Sequence, residues 1–433
     1  MRRIASILTS AMLVLGLSGC WPVPGQNPDR TGHNGFEGAI TPATVGDLEQ
    51  AWTSPFGSGQ VRTPVVSRGG VHIVFSDPGS TDFCGILTVR PSDGSFVWGT
   101  PLAEQIECGE VQDATTLGDP FVIDGQVVVG VETRFQLRGC CPALWEYRMA
   151  SRAFDVATGA EGTSWAGWMV DSMRGGLATT TVGQLLSPIT GIVTYSTGLD
   201  AAAGAAPPLS IPRWLRGQTT IGRSAVLHTG SGPLATVPGD PVTGFGVRAY
   251  PLSGLVNTCG SSGAETCPRW ATPVDGAEAG PPVLGGGGET VFAATTTGTV
   301  YALDGDTGAV LWSTPVGAPV TAAPALAGGV LYVPTASGEL AALDATAGTV
   351  RWRGASGSGA AISGQPASAG GVVFTGSADG RVSAFDAAGC GSATCATLWS
   401  TSVGAPVTGA PAVSNGQLYV PSAGGLVAYR VAA

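Results

Sequence analysis

Residues 299–312 read TVYALDGDTGAVLW, and residues 339–352 read ELAALDATAGTVRW. Ala302, Asp304, Gly308 and Trp312 fall on Ala342, Asp344, Gly348 and Trp352, each forty residues further on. Self-similarity with a period of roughly 20–50 residues marks a stacked or radial architecture in which one supersecondary unit is copied. A second series keeps step with the first. Pro282, Pro324, Pro366 and Pro411 each precede small residues and then an apolar run: VFAAT, VLYVP, VVFTG and LYVPS. Each run leads on to an alanine, at Ala302, Ala342, Ala384 and Ala428. Short apolar runs punctuated by turn residues read as strands, so one unit is four short strands.

The unit is legible upstream. Pro64 leads to VHIVF and then ILTVRPSDGSFVW, where Gly94 and Trp98 stand in register with Gly308 and Trp312. Pro120 leads to VVVGVE and then RAFDVATGAEGTSW, where Asp155 and Gly159 match Asp304 and Gly308. Two more units are expected between 176 and 272, on spacing and strand content. The unit markers are Trp52, Trp98, Trp165, Trp214, Trp270, Trp312, Trp352 and Trp399, eight in number. The last unit, from Pro411, has three strands, whereas LEQAWTSPFG near residue 48 has a fourth strand with no unit before it. The predicted fold is therefore all-β: an eight-bladed β-propeller of four-stranded antiparallel blades, the last blade closed by the N-terminal strand. Closure removes exposed sheet edges. Small residues are expected near the axis and Trp in the widening wedge between blades. The Asp of Asp-x-x-Thr-Gly accepts backbone N–H groups of its turn, and the Gly supplies positive φ. Asp304, Asp344 and Asp386 are read as structural, because DGDTG lacks the longer ligand loop of a calcium site.

Bulk properties agree. Of 433 residues 43% are hydrophobic and 12% charged, which excludes a disordered chain. A net charge of −10 argues against nucleic acid or a polybasic membrane patch as partner. Arg2 and Arg3 precede an apolar run from Ile4 to Leu17, too short to span a bilayer. Leu17-Ser18-Gly19-Cys20 resembles a bacterial lipobox, which implies that Cys20 carries lipid. The expected division is 1–19 lipoprotein signal peptide, 20–47 lipid-anchor tether and lead-in segment, and 48–433 propeller domain. Removing Cys20 from nine cysteines leaves eight, an even number suited to an oxidising compartment.

ALDGDTGAVLW, ALDATAGTVRW and AFDVATG resemble the repeats of quinoprotein-type (PQQ-like) β-propellers, and GQNPDRTGHNGFEGAITPATVGDLEQAW resembles that family's lead-in strand. The family holds quinone-dependent alcohol and sugar dehydrogenases. It also holds cofactor-free propellers, including lipid-anchored BamB-type scaffolds of outer-membrane assembly. Size, unit count and lipobox resemble the second kind. The resemblance to the dehydrogenases rests on Cys140-Cys141, since some of them carry a disulfide between adjacent cysteines against the cofactor. Cys84, Cys108, Cys140 and Cys141 are expected on one face, the one where the family binds cofactor, and three pairings remain open. The family's calcium ligands and catalytic Asp find no matching motifs. Cys390 with Cys395, and Cys259 with Cys267, can each close across a hairpin between strands three and four, on the opposite face. The histidines at His33, His72 and His228 show no ligand spacing, and His72 in VHIVF reads as a packed side chain.

The largest departure from the repeat is the loop around 133–150. It holds Phe135, Trp145 and Tyr147 among Arg134, Arg138, Arg148 and Arg152. Aromatics with Arg are the composition of interface anchors. These readings predict a lipid-anchored, extracytoplasmic, non-catalytic binding scaffold, without cofactor, monomeric, whose partner is an envelope protein or complex. A PQQ- and calcium-dependent dehydrogenase is the alternative; a carbohydrate- or cell-wall-binding propeller is the third reading.

Overall fold

The structure is a computed structural model. It describes residues 25–27, 30–55, 59–76, 84–102, 115–117, 119–123, 125–137, 144–162, 269–286 and 289–432, together with 245 and the strands given below between 165 and 266. For residues 131–151 and 165–228 the description is of backbone alone. The described part is built of strands. Its one helical element is a single 3-10 turn, Val45–Asp47, and among the described residues no helix is long and apolar enough to cross a membrane.

The repeat becomes a series of antiparallel sheets, each identified here by the Trp of its fourth strand. The Trp312 sheet runs Val283–Gly285, Thr290–Ala294, Thr299–Asp304, Val310–Pro315. The Trp352 sheet runs Ala325–Ala327, Val330–Pro334, Glu339–Asp344, Val350–Ala355, and the Trp399 sheet Ala367–Ala369, Val372–Gly376, Arg381–Asp386, Trp399–Ser402. Upstream, the Trp98 sheet ends in Phe96–Pro101 and the Trp165 sheet in Trp165–Ala166, and the Trp270 sheet runs Gln218–Ile221, Ser224–His228, Gly246–Pro251, Trp270–Pro273. Between 168 and 212 lie a three-stranded sheet, Trp168–Arg174, Leu177–Val182, Leu199–Asp200, and a ribbon of Thr194–Ser196 with Ser210–Pro212. Trp214 lies outside the described residues.

The chain ends meet as expected. Leu48–Pro55 pairs antiparallel with Gly425–Val431, completing a sheet with Gln417–Ser422 and Ala412–Ser414. Trp52 stands opposite Ala428 there.

Four of the described sheets are locked to the next through their Trp. The indole N–H of Trp312 donates to the Ala345 carbonyl at 3.1 Å, in the turn between strands three and four of the following sheet. Trp52, Trp98 and Trp270 make the same bond to Pro91, Val156 and Gly305. The turn glycine lies flat on the ring: a β-carbon on Gly348 would come within 2.6 Å of Trp312, and one on Gly308 within 2.5 Å of Trp270. Gly348 also has φ +71°, which other residues rarely adopt. Asp304 holds its turn by accepting the Thr307 backbone N–H at 2.8 Å and the Thr307 hydroxyl at 2.7 Å. Those bonds hold the Asp304 carboxyl below its ordinary pKa.

The Trp352–Trp399 junction departs from this rule. Tyr332 donates its hydroxyl to Ala387 at 2.8 Å, the carbonyl corresponding to Ala345, and the buried Trp352 indole nitrogen has no partner. The inserted GCGSATC hairpin closes through a Cys390–Cys395 disulfide. Its Thr394–Cys395 strand pairs in parallel with Arg353–Gly354, so the insertion covers the outer edge of the preceding sheet.

His72 is packed, as its strand pattern predicts, and its place has a reason. It stands opposite Val65 just as Phe292 stands opposite Val283 and Tyr332 opposite Ala325. Those aromatics lie about 6 Å from their sheet's Trp, and His72 lies 6.1 Å from Trp98. Ser67 Oγ and Thr88 Oγ1 each sit 2.7 Å from a ring nitrogen. Burial pushes the imidazole down to about pKa 3. The folded protein therefore holds His72 neutral where an unfolded chain, with a value near 6.5, binds a proton. Its contribution is complete above pH 6.5 and is lost as pH falls toward 3, by up to roughly 1 kcal/mol per pH unit. His72→Phe, which copies the aromatic of the other sheets, should flatten the fall of the melting midpoint between pH 6.5 and 4. An unchanged fall in that window would refute the assignment.

Candidate functional site

The stretch expected as tether and lead-in is, from Gly25, laid against the sheets. His33–Asn34 pairs in parallel with Ser368–Ala369, on the side of the Trp399 sheet's first strand away from its second. The Leu326 N–H donates to the Thr31 carbonyl at 2.6 Å and the Ser368 N–H to Gly32 at 2.7 Å. The Gln365 side-chain amide donates to the carbonyls of Arg30, at 2.7 Å, and Pro324, at 2.8 Å. The Asn34 side-chain amide, fully buried, donates to Val413 at 2.9 Å. One short segment thus bridges the first strands of three consecutive sheets. Arg30 and Arg62 lie within electrostatic reach of Asp119; desolvation pushes that carboxyl up and the two guanidiniums draw it back.

At the same end of the sheets, strands two and three of the Trp165 sheet are drawn out into a ribbon. Gln126–Leu137 and Leu144–Asp155 are twelve residues each and pair along their whole length, against five for Val330–Pro334. The extra residues carry the ribbon about 20 Å further than the hairpin that follows Val330–Pro334, at the usual strand rise. By register Arg134 is opposite Tyr147, Phe135 opposite Glu146, Gln136 opposite Trp145 and Thr133 opposite Arg148. The expected interface residues Arg134, Phe135, Trp145, Tyr147 and Arg148 therefore share one ribbon; Arg138 lies outside the described residues.

Cys84 begins strand three of the Trp98 sheet and is disulfide-bonded. Cys390 and Cys395 bond to each other at the opposite end of the sheets, as their hairpin predicts. Cys259 belongs to a small ribbon, Thr258–Cys259 with Glu265–Thr266, between strands three and four of the Trp270 sheet. Cys20, Cys108, Cys140, Cys141 and Cys267 lie outside the described residues.

A quinone with its calcium needs several oxygen ligands converging on the metal. Among the described residues no group of three or more His, Cys, Asp or Glu is placed to hold a metal.

Residues 262–391 and 356–433 match the family model of the outer membrane protein assembly factor BamB. No curated protein matches the chain by sequence. Among solved structures, the quinohemoprotein alcohol dehydrogenase ADHIIG from Pseudomonas putida HK5 is similar over 96% of this chain and 80% of its own, with 15% identity and a TM-score of 0.63. BamB from Moraxella catarrhalis is similar over 88% of this chain and 99% of its own, with 16% identity and a TM-score of 0.53. The computationally designed Ika8 protein is similar over 88% of this chain and 100% of its own, with 14% identity and a TM-score of 0.60. Likeness at such identities concerns the fold. The class is an all-β propeller. Residues 262–433 carry the repeats that the BamB family model describes. An assembly factor and a dehydrogenase on one fold make function a question of the site.

Proposed function

We propose that the chain is a lipid-anchored, extracytoplasmic propeller of eight four-stranded blades, acting as a non-catalytic protein-binding and assembly scaffold. The observation that supports this reading is the course of the N-terminal segment along the first strands of three consecutive sheets, where the protein's own backbone pairs with them. Matched BamB repeats at the C-terminal end and eight Trp markers support it. The lipobox cysteine, Cys20, stands five positions before Gly25, so a lipid there would tether the propeller through its N-terminal segment. The Arg- and aromatic-bearing ribbon is the surface offered to an envelope partner.

Two measurements test the proposal. Purified protein mixed with pyrroloquinoline quinone and calcium should show neither stoichiometric uptake nor dye reduction with an alcohol or sugar. Uptake with turnover would instead assign it to the dehydrogenases. In live cells, a photo-crosslinker at Tyr147 should capture one envelope protein. Trp145→Ala with Arg138→Ala should abolish the capture while leaving the melting curve in place; undiminished capture would remove the ribbon from the scaffold.

A further inference from the structure

The hairpins between strands one and two are alike in sequence and differ in what covers them. On the Trp399 and Trp52 sheets they are covered by the chain itself. Glu37 accepts the Gly416 N–H at 2.9 Å, and the Ala39 β-carbon lies 3.2 Å from where one on Gly416 would stand. The Ile40 carbonyl abuts Gly370, Pro42 lies 3.5 Å from a β-carbon on Gly371, and the Ile40 side chain is fully buried. Among the described residues nothing covers the matching Gly328–Gly329 hairpin of the Trp352 sheet: a β-carbon at either position would meet none of them within 4 Å.

A cleft of about 510 Å³ opens there, between the Trp312 and Trp352 sheets. Leu326, Phe292 and Trp312 form its walls, and Leu311, 55% exposed, and Thr346 form its outer lip. Its inner end is Thr31 and His33, so it continues the surface already occupied by the N-terminal segment. The neighbouring turns carry Glu289, Asp304, Asp306 and Asp344. Two guanidiniums answer them, Arg351 on Asp344 at 2.6 Å and Arg269 on Asp306 at 3.6 Å. The surroundings are net negative.

We propose that this cleft binds an extended peptide segment of a partner protein, with an aliphatic residue flanked by Lys or Arg. The aliphatic residue would use the cleft as Ile40 uses the covered hairpins, and the cations would meet the carboxylates on the turns. The inference rests on the scaffold reading and gives the partner a chemistry.

The test uses the full chain and a fluorescent peptide RGAITPR, which places the protein's own Gly38–Pro42 sequence between arginines. It should bind saturably. Leu311→Arg with Thr346→Arg, both at exposed positions, should weaken binding at least about tenfold with an unchanged melting curve. The peptide EGAITPE should bind at least about tenfold more weakly to the unaltered protein. Absence of saturable binding at millimolar peptide, or binding indifferent to the double variant or to flanking charge, overturns the proposal. A concentration-dependent dimer that the double variant abolishes would also overturn it, by giving the cleft to a second copy. The crosslink at the ribbon does not involve these residues. A failed peptide titration with that crosslink intact therefore overturns this inference alone.

Discussion

Gly348→Ala should be among the most damaging single-methyl additions the protein can receive, at about 2–5 kcal/mol. Two costs combine. A residue with a β-carbon in the left-handed region costs about 1–2 kcal/mol, and Gly348 has φ +71°. The added carbon would lie 2.6 Å from the Trp312 ring, and overpacking of that kind costs about 1–3 kcal/mol. Relief by moving Trp312 would break its bond to the Ala345 carbonyl and disturb the Thr314 hydroxyl, which donates to the Gly348 carbonyl at 2.7 Å. The control is Gly317→Ala. Gly317 has φ +88° but meets nothing within 4 Å of an added β-carbon, so only the backbone cost applies. Denaturant midpoints of the two variants decide the matter: equal losses would mean that the contact between sheets contributes nothing.

The same pair shows how much of the fold the sequence carried. Asp304, Thr307, Gly308 and Trp312 were legible because turn chemistry acts over a few residues and recurs at a fixed period. Their coupling was not: Gly308 is recognisable as a turn glycine, but that its flat face receives Trp270 of the sheet before it is a fact about packing. His72 was readable as a buried strand residue, whereas its place alongside Phe292 and Tyr332 needed the cross-strand register.

The N-terminal segment was the least legible element. The parallel pairing of His33–Asn34 with Ser368–Ala369 spans 335 positions and leaves no periodic trace. Asn34 looks like any loop asparagine until its amide is found bonded to Val413. The Gly328–Gly329 hairpin was equally silent, because its sequence resembles that of the covered Gly370–Gly371. For the ribbon, composition pointed to an interface, and the register then put the aromatic and basic residues on paired strands.

Trp52→Ala should cost about 3–5 kcal/mol, the usual range for truncating a large buried aromatic. Trp52 is 7% exposed, bonds the Pro91 carbonyl at 2.8 Å and lies 6.0 Å from Tyr419. A β-carbon on Gly94 would fall 2.5 Å from its ring. Its strand, Leu48–Pro55, is held by Gly425–Val431 from the far end of the chain, while its indole holds the turn of the Trp98 sheet. Loosening it should therefore raise amide exchange in two segments remote in sequence, Gly425–Val431 and Cys84–Val89. Trp399 supplies the contrast. The next sheet joins its third and fourth strands through no hairpin, so Trp399 has no turn beneath it and meets Tyr429 edge-on at 5.3 Å. With its ring half-buried, Trp399→Ala should lose less than Trp52→Ala, and exchange should rise only near Tyr429. If the two truncations cost the same, or if Trp52→Ala leaves Cys84–Val89 unaffected, then the junction at Trp52 is ordinary packing and does not join the two ends of the chain.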